Sequence, residues 1–276
     1  MRVSPGELQS ISRKLRQTIL QMIVAANSGH PGGSLSAVDI ILELYLNEMR
    51  HDPKNPKKRD RDRLVLSKGH GVPALYAVLA YCGYFSEAEL STLRQLGSPL
   101  QGHPANRLLP SIEASTGSLG QGLSVALGMA FAARLGHGDK PAFNVYALLG
   151  DGEVQEGQVW EAAMCAGHYK VNNLIGFIDR NNGQIDGLVD DIMTVEPLED
   201  RWRSFGWHTI KIDGHDFLAI NRACIEAREQ QKKPTMIIAK TTKGKGVSFL
   251  EADTVSWHGK SLSKEELQKA IDELRE

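Results

Sequence analysis

Cysteine is scarce in this chain. Cys82, Cys165 and Cys224 are the only three in 276 residues, odd in number and far apart, with no metal-ligand spacing among them. That excludes a disulfide scaffold and points to reduced thiols in a cytoplasmic protein. Net charge is missing as well: 32 Lys and Arg against 33 Asp and Glu leave a formal −1. Bulk electrostatics therefore offers no grip on nucleic acid or a membrane surface. Residues 50–63 are locally basic (Arg50, Lys54, Lys57, Lys58, Arg59, Arg61, Arg63), yet Asp52, Asp60, Asp62, Pro53 and Pro56 interrupt them, which predicts a solvated loop. No run is apolar enough to span a bilayer, because the best stretch, Ala37–Leu46, carries Asp39 and Glu43. No signal-peptide pattern, internal repeat or low-complexity linker is visible, so residues 1–276 read as one domain. The dinucleotide fingerprint is absent too: no Gly-x-Gly-x-x-Gly follows a strand with an acidic residue about twenty positions on.

What the chain does have is an alternation of strands and helices. Apolar residues at three- and four-residue steps (Leu8, Ile11, Leu15, Ile19, Met22, Ala26) predict an amphipathic first helix. The breaker cluster Asn27–Gly33 ends it, and Ser34 or Ser36 is expected to cap a second helix running to about Met49. Short helices are expected near 73–82 and 86–93, and a helix of small residues near 119–135. Strands near 63–67, 144–149, 174–179, 207–212 and 235–240 interleave with helices near 156–169, 197–205 and 216–230. This is the rhythm of an α/β fold, a parallel sheet with helices on both faces.

Two of those strands end on chemistry. Val145–Leu149 runs into Gly150-Asp151-Gly152-Glu153, and Leu174–Ile178 runs into Asp179-Arg180-Asn181-Asn182-Gly183. Parallel strands ending together bring Asp151 and Asn181 to one carboxyl edge, where open α/β sheets bind ligands. One carboxylate, one amide oxygen and a backbone carbonyl make a hard, incomplete oxygen shell. Mg²⁺ suits such a shell when a diphosphate supplies the other oxygens. The glycines admit phosphates to the backbone, and the helix after Gly152 offers them its first N–H groups. Each motif alone is also an ordinary turn sequence; the pairing is what makes a metal–diphosphate clamp.

Seven of the nine histidines stand beside a glycine: His30, His70, His103, His137, His168, His215 and His258. Glycine-flanked histidines belong to loops that approach a ligand, where the ring can donate a hydrogen bond or exchange a proton. His30, His70, His103 and His258 lie in irregular segments and are expected at one site. His168 reads as structural and His137 as a helix-end residue, while His51 and His208 carry no signal.

Seven motifs then occur in order: Ser28-Gly29-His30-Pro31-Gly32, Leu66-Ser67-Lys68-Gly69-His70-Gly71, Gly102-His103-Pro104, Thr116-Gly117-Ser118-Leu119-Gly120-Gln121-Gly122, Gly150–Gly157, Asn181-Asn182 and Trp257-His258-Gly259. The series resembles the N-terminal, thiamine-diphosphate-binding domain of transketolases. The resemblance implies that Asp151, Asn181 and the Gly183 carbonyl ligate Mg²⁺ or Ca²⁺. It implies cofactor contacts from His70, Gly117, Ser118, Leu119, Gly150, Asp151, Gly152, Glu153, Asn181 and His258. It places His30, His103 and His258 on the substrate side, as proton-transfer groups at the sugar carbon that is cleaved. Glu156 resembles an interface glutamate between two cofactor sites. Ser118 departs from the family, where proline is common.

Transketolases run to more than twice this length, and their second domain supplies the glutamate that activates the cofactor. The resemblance therefore implies one subunit of a split enzyme, with a C-terminal partner chain, an α2β2 assembly and sugar-phosphate substrates. Three alternatives stay open: half of another thiamine-diphosphate carboligase or decarboxylase, a non-catalytic cofactor-binding subunit, and a generic nucleotide-binding α/β domain.

Overall fold

The computed structural model describes residues 2–135 and 140–275; His137 falls outside them. Five strands, β1 (Arg63–Leu66), β2 (Val145–Gly150), β3 (Leu174–Arg180), β4 (His208–Asp213) and β5 (Thr235–Lys240), form one sheet in the order β1-β2-β3-β5-β4. Every pairing is parallel. The helices are α1 (Pro5–Ala25), α2 (Pro31–Glu43), α3 (Val72–Tyr81), α4 (Gln121–Arg134), α5 (Gly157–His168), α6 (Val189–Met193), α7 (Leu198–Ser204), α8 (Phe217–Glu229), α9 (Ser248–Ala252) and α10 (Lys264–Glu273).

Alternation along the strands divides the core between the two faces of the sheet, since successive side chains point opposite ways. Tyr146 and Leu148 join Ile175 and Phe177 under α1, α2, α3 and α8. Val145, Ala147 and Leu149 join Leu174 and Ile178 under α4, α5 and α7. Strands buried on both faces read as the continuous apolar runs seen in the sequence. The layered α/β expectation therefore holds.

Two local expectations are corrected. Neither Ser34 nor Ser36 caps α2. Pro31 occupies its first turn, His30 is the capping residue, and both serines lie inside the helix. Proline's fixed φ and missing N–H suit it to a helix start, which moves the boundary upstream. The basic segment before β1 is the largely exposed loop expected, tied down where Arg50 pairs with the buried Asp62 at 3.0 Å and Arg61 pairs with Glu113. The turn after Gly152 is a short 3₁₀ segment, Glu153–Gln155, and α5 begins only at Gly157.

Candidate active site at the carboxyl edge of the sheet

The β2–β3 register pairs Gly150 with Asp179, so the segments that follow leave the sheet side by side. Asp151 is 2% exposed. Its Oδ1 accepts from the Gly152 N–H at 2.9 Å, and its Oδ2 accepts from the Asn182 N–H at 2.5 Å and from Arg180 Nη1 at 3.1 Å. Burial, with the nearby Asp179 charge, pushes the Asp151 carboxyl up from its ordinary value. Arg180 also reaches Asp190 at 2.7 Å and Glu196 at 3.0 Å, tying the loop beyond β3 back to the strand end. Asn181 Oδ1 accepts from the Gly183 N–H at 3.0 Å.

Beneath this edge lie two buried lysines. Lys68, just past β1, donates to the Gly33 carbonyl at 2.9 Å and pairs with Asp179 at 2.5 Å. Asp179 is fully buried and also accepts from Ser36 at 2.6 Å and from Thr241. Lys243, past β5, donates to the Gly183 carbonyl at 3.0 Å, and its Nζ lies 2.8 Å from His258 Nδ1. Burial, then the charge on Lys68, draws the Lys243 amine down to about 8.

The four irregular-segment histidines converge above. Ring centroids of His30 lie 5.1 Å from His70, 5.5 Å from His258 and 6.4 Å from His103, and those of His70 and His258 are 5.3 Å apart. Each is held neutral. Burial, then Arg94 and the neighbouring cations, takes His30 to about 4; burial, then Lys243, takes His258 to about 3. Burial likewise lowers His70 and His103. His30 Nδ1 is buried with no hydrogen-bond partner among the described residues. A neutral imidazole with a free nitrogen can accept or relay a proton.

One cavity of about 340 Å³ unites these groups: it is lined by all four histidines, both lysines, Asp151, Asn181 and Gly183. Gly117 and Leu119 form part of its wall, as do Gly150, Gly152, Glu153 and Glu156, whereas Ser118 does not face it. Gly117 has φ +140°, and a Cβ there would meet His103 Cδ2 at 2.8 Å, so only glycine lets that loop close on the histidine. Glu153 is buried and committed to the fold: it accepts from Ser67 Oγ, from the Gly120 N–H at 3.0 Å and from the Gly150 N–H at 3.0 Å. Glu156 is exposed on the rim.

The donor set fits a divalent cation bridging to a diphosphate. Among the described residues no group of three or more His, Cys, Asp or Glu side chains is arranged to hold a metal by itself. Asp151 instead offers one carboxylate beside the Asn181 amide oxygen and the Gly183 carbonyl, hard donors that leave room for phosphate oxygens. The Gly183 oxygen already faces a cation, the Lys243 ammonium.

The remaining histidines serve elsewhere. His168 packs edge-on against Tyr169, His51 bridges Tyr45 and Tyr84, and His208 pairs with Glu226 at 2.7 Å. His215 lies between Asp39 and the Thr242 N–H. Sequence reasoning missed Lys68, Asp179, Arg180 and Lys243. A signal was present: Lys68 sits in the same short motif as His70, and Lys243 opens the glycine-flanked loop after β5.

Fold and cavity together define an open parallel α/β protein whose ligand site crosses the ends of β1, β2, β3 and β5. The chain belongs to the transketolase thiamine diphosphate binding domain family, whose model matches residues 8–274. It is 47% identical over 268 residues to a 6-deoxy-6-sulfo-D-fructose transketolase subunit of Clostridium sp. strain MSTE9, covering 97% of this chain and 96% of that one. It is 42% identical over 276 residues to an apulose-4-phosphate transketolase subunit of Phocaeicola vulgatus, covering 100% and 96%. Mouse transketolase is 43% identical over 268 residues, but there the chain spans only 42% of the relative. The crystal structure of Campylobacter jejuni transketolase superposes with a TM-score of 0.91 at 37% identity, over 99% of this chain and 43% of that one.

Proposed function

We propose that residues 1–276 form one thiamine-diphosphate-binding domain, the N-terminal subunit of a split, cytoplasmic transketolase. With a separate C-terminal chain, in an α2β2 assembly, it transfers a two-carbon ketol unit from a ketose phosphate to an aldose phosphate. The observation that carries this reading is the shared cavity, with four neutral histidines above a single-carboxylate oxygen site. The two subunit relatives, matched over nearly their whole length, support a partnered enzyme. Among the described residues no helix is long and apolar enough to cross a membrane.

In this reading Asp151, Asn181 and the Gly183 carbonyl hold Mg²⁺ or Ca²⁺. His70, Gly152 and His258 contact the diphosphate, while Gly117 and Leu119 line the path beyond it. When bound, thiamine diphosphate supplies the electron sink for carbon–carbon cleavage, and the protein supplies orientation and proton management. His30, with its unpartnered Nδ1, and His103 face the donor hydroxyls. As neutral bases they take the proton from the hydroxyl beside the breaking bond and return it to the acceptor. Glu156 on the rim meets the neighbouring subunit. Glu153 acts indirectly, by shaping the turn that presents Asp151 and Gly152.

The test is reconstitution. Purified alone, the chain should show no ketol transfer; mixed with the chain encoded beside it, Mg²⁺ and thiamine diphosphate, it should turn over ketose phosphates. Robust transfer by the single chain overturns the split-enzyme reading. Cofactor binding by the mixture without turnover across a panel of ketoses identifies a binding subunit instead.

A further inference from the structure

His215 lies outside the cavity, yet both of its ring nitrogens are engaged. Asp39, on α2 and 3% exposed, accepts from Arg16 Nη2 at 2.6 Å and from His215 Nδ1 at 2.7 Å through one oxygen, and from Ser12 through the other. On the far side of the imidazole, Nε2 lies 2.9 Å from the Thr242 backbone N–H. An amide N–H can only donate, so Nε2 must carry a lone pair and the ring proton must sit on Nδ1, facing Asp39. The carboxylate thus selects the tautomer, and the tautomer supplies the acceptor.

The segment that this acceptor holds runs under the cavity. Four consecutive residues are each anchored by a different partner. Thr241 donates to Asp179, Thr242 to His215, Lys243 to the Gly183 carbonyl, and Gly244 to the Gly32 carbonyl. Asp179 belongs to the buried pair and Gly183 to the cavity wall, while Gly32 stands between the cavity residues His30 and Gly33. The fourth, His215, is the only one supplied by the loop after β4, the edge strand.

We propose that His215 is a positioning residue for the cofactor site: through the Thr242 N–H it sets the height of the Thr241–Gly244 segment, and with it the Lys243 amine at the cavity floor. Asp39 and Arg16 act one step further out, by holding the ring in the competent tautomer. The part concerning cofactor affinity rests on the reading of the cavity given above.

Two substitutions split the ring's two bonds. H215Q places an amide oxygen where Nε2 was and keeps an acceptor for Thr242, while giving up Asp39. H215N places an amide nitrogen where Nδ1 was and keeps Asp39, while leaving Thr242 without an acceptor. Both are made in the full chain and read in two ways: backbone amide exchange at Thr242 and Gly244 by NMR, and Mg²⁺–thiamine diphosphate affinity by calorimetry with the partner chain present. H215N should speed Thr242 exchange and weaken the cofactor by about tenfold or more, the scale expected when a part-buried N–H loses its acceptor. H215Q should stay within about threefold of the parent in both. Equal losses in the two variants, following their melting temperatures, overturn the proposal. If H215N does not fold, fast Thr242 exchange in H215Q is sufficient to overturn it. The expected exchange pattern in a parent complex that binds no cofactor upholds the positioning role and overturns the cofactor reading instead.

Discussion

The Lys68 ammonium and the Asp179 carboxylate stand 2.5 Å apart with 1% and 0% of their side chains exposed. Neither charge can be watered, so the pair is tolerable only because each group has further polar partners. Asp179 adds Ser36 and Thr241, and Lys68 adds the Gly33 carbonyl. The Lys68 charge holds the Asp179 carboxyl below its ordinary value against the opposing effect of burial. Lys68→Met should therefore cost about 3–5 kcal/mol, the penalty for stranding a buried carboxylate. Urea unfolding of the purified chain measures it. Lys68→Met with Asp179→Asn should recover part of the loss, because the stranded charge is gone; a double variant less stable than the single one contradicts the pairing.

Glu153 makes a different prediction from its neighbour Asp151, although both belong to one turn. Its carboxylate accepts from three groups on three segments. Glu153→Gln turns one end of the group into a donor facing donors. Stability should fall by about 1–3 kcal/mol, the cost of leaving a buried polar group unpaired. Chemical denaturation of the subunit, with no cofactor present, is the measurement; an unchanged midpoint shows that the turn is held otherwise.

Asp151→Ala is to be read in ligand binding. It removes the only carboxylate in the proposed metal shell, so the assembled complex should lose measurable binding of thiamine diphosphate in a calorimetric titration. Chelation of divalent metal from the parent complex should produce the same loss. Affinity that survives either treatment places the metal elsewhere.

The histidine cluster predicts a pH dependence of stability. His30 and His258 titrate at about 4 and about 3 in the folded chain, against 6.5 as the ordinary value. Between those limits the unfolded chain binds more protons than the folded one, so stability rises with pH. The contribution is complete above about pH 6.5 and is lost as pH falls toward 4 and below. Thermal midpoints of the isolated chain should decline across that window, and His30→Gln with His258→Gln should flatten the slope. An equally steep decline in the double variant assigns the effect to other groups.

Much of this architecture is legible before any coordinates are seen. Asp151 and Asn181 announce themselves because each follows an apolar run that can only be a buried strand. Their proximity then follows from parallel pairing. The cavity histidines are legible from their glycine neighbours, though the same signature also picks out His215 and His168, which are engaged elsewhere. The motifs around Lys68 and Lys243 place them near the site, but their burial is not legible, because lysine is ordinarily a surface residue and no local pattern says that one is buried. Their burial is decided by partners more than a hundred positions away for Lys68 and sixty for Lys243, Asp179 and Gly183 respectively. Arg180 is hidden although its partners are nearer in sequence, because they come from three separate segments: α6, the loop before α7 and the turn after β2. Ser34 misleads because a serine near a helix start looks like a cap, while the upstream Pro31 has already begun the helix.

The cavity draws its walls from His30 near one end of the chain to His258 near the other. No contiguous stretch contains it, and neither does any pair of adjacent elements. During synthesis residues 151–183 emerge long before His258, so the cavity cannot close until almost all of its walls have been made. A ligand that needs every wall of this cavity would report on folding of the domain as a whole and on no part of it alone.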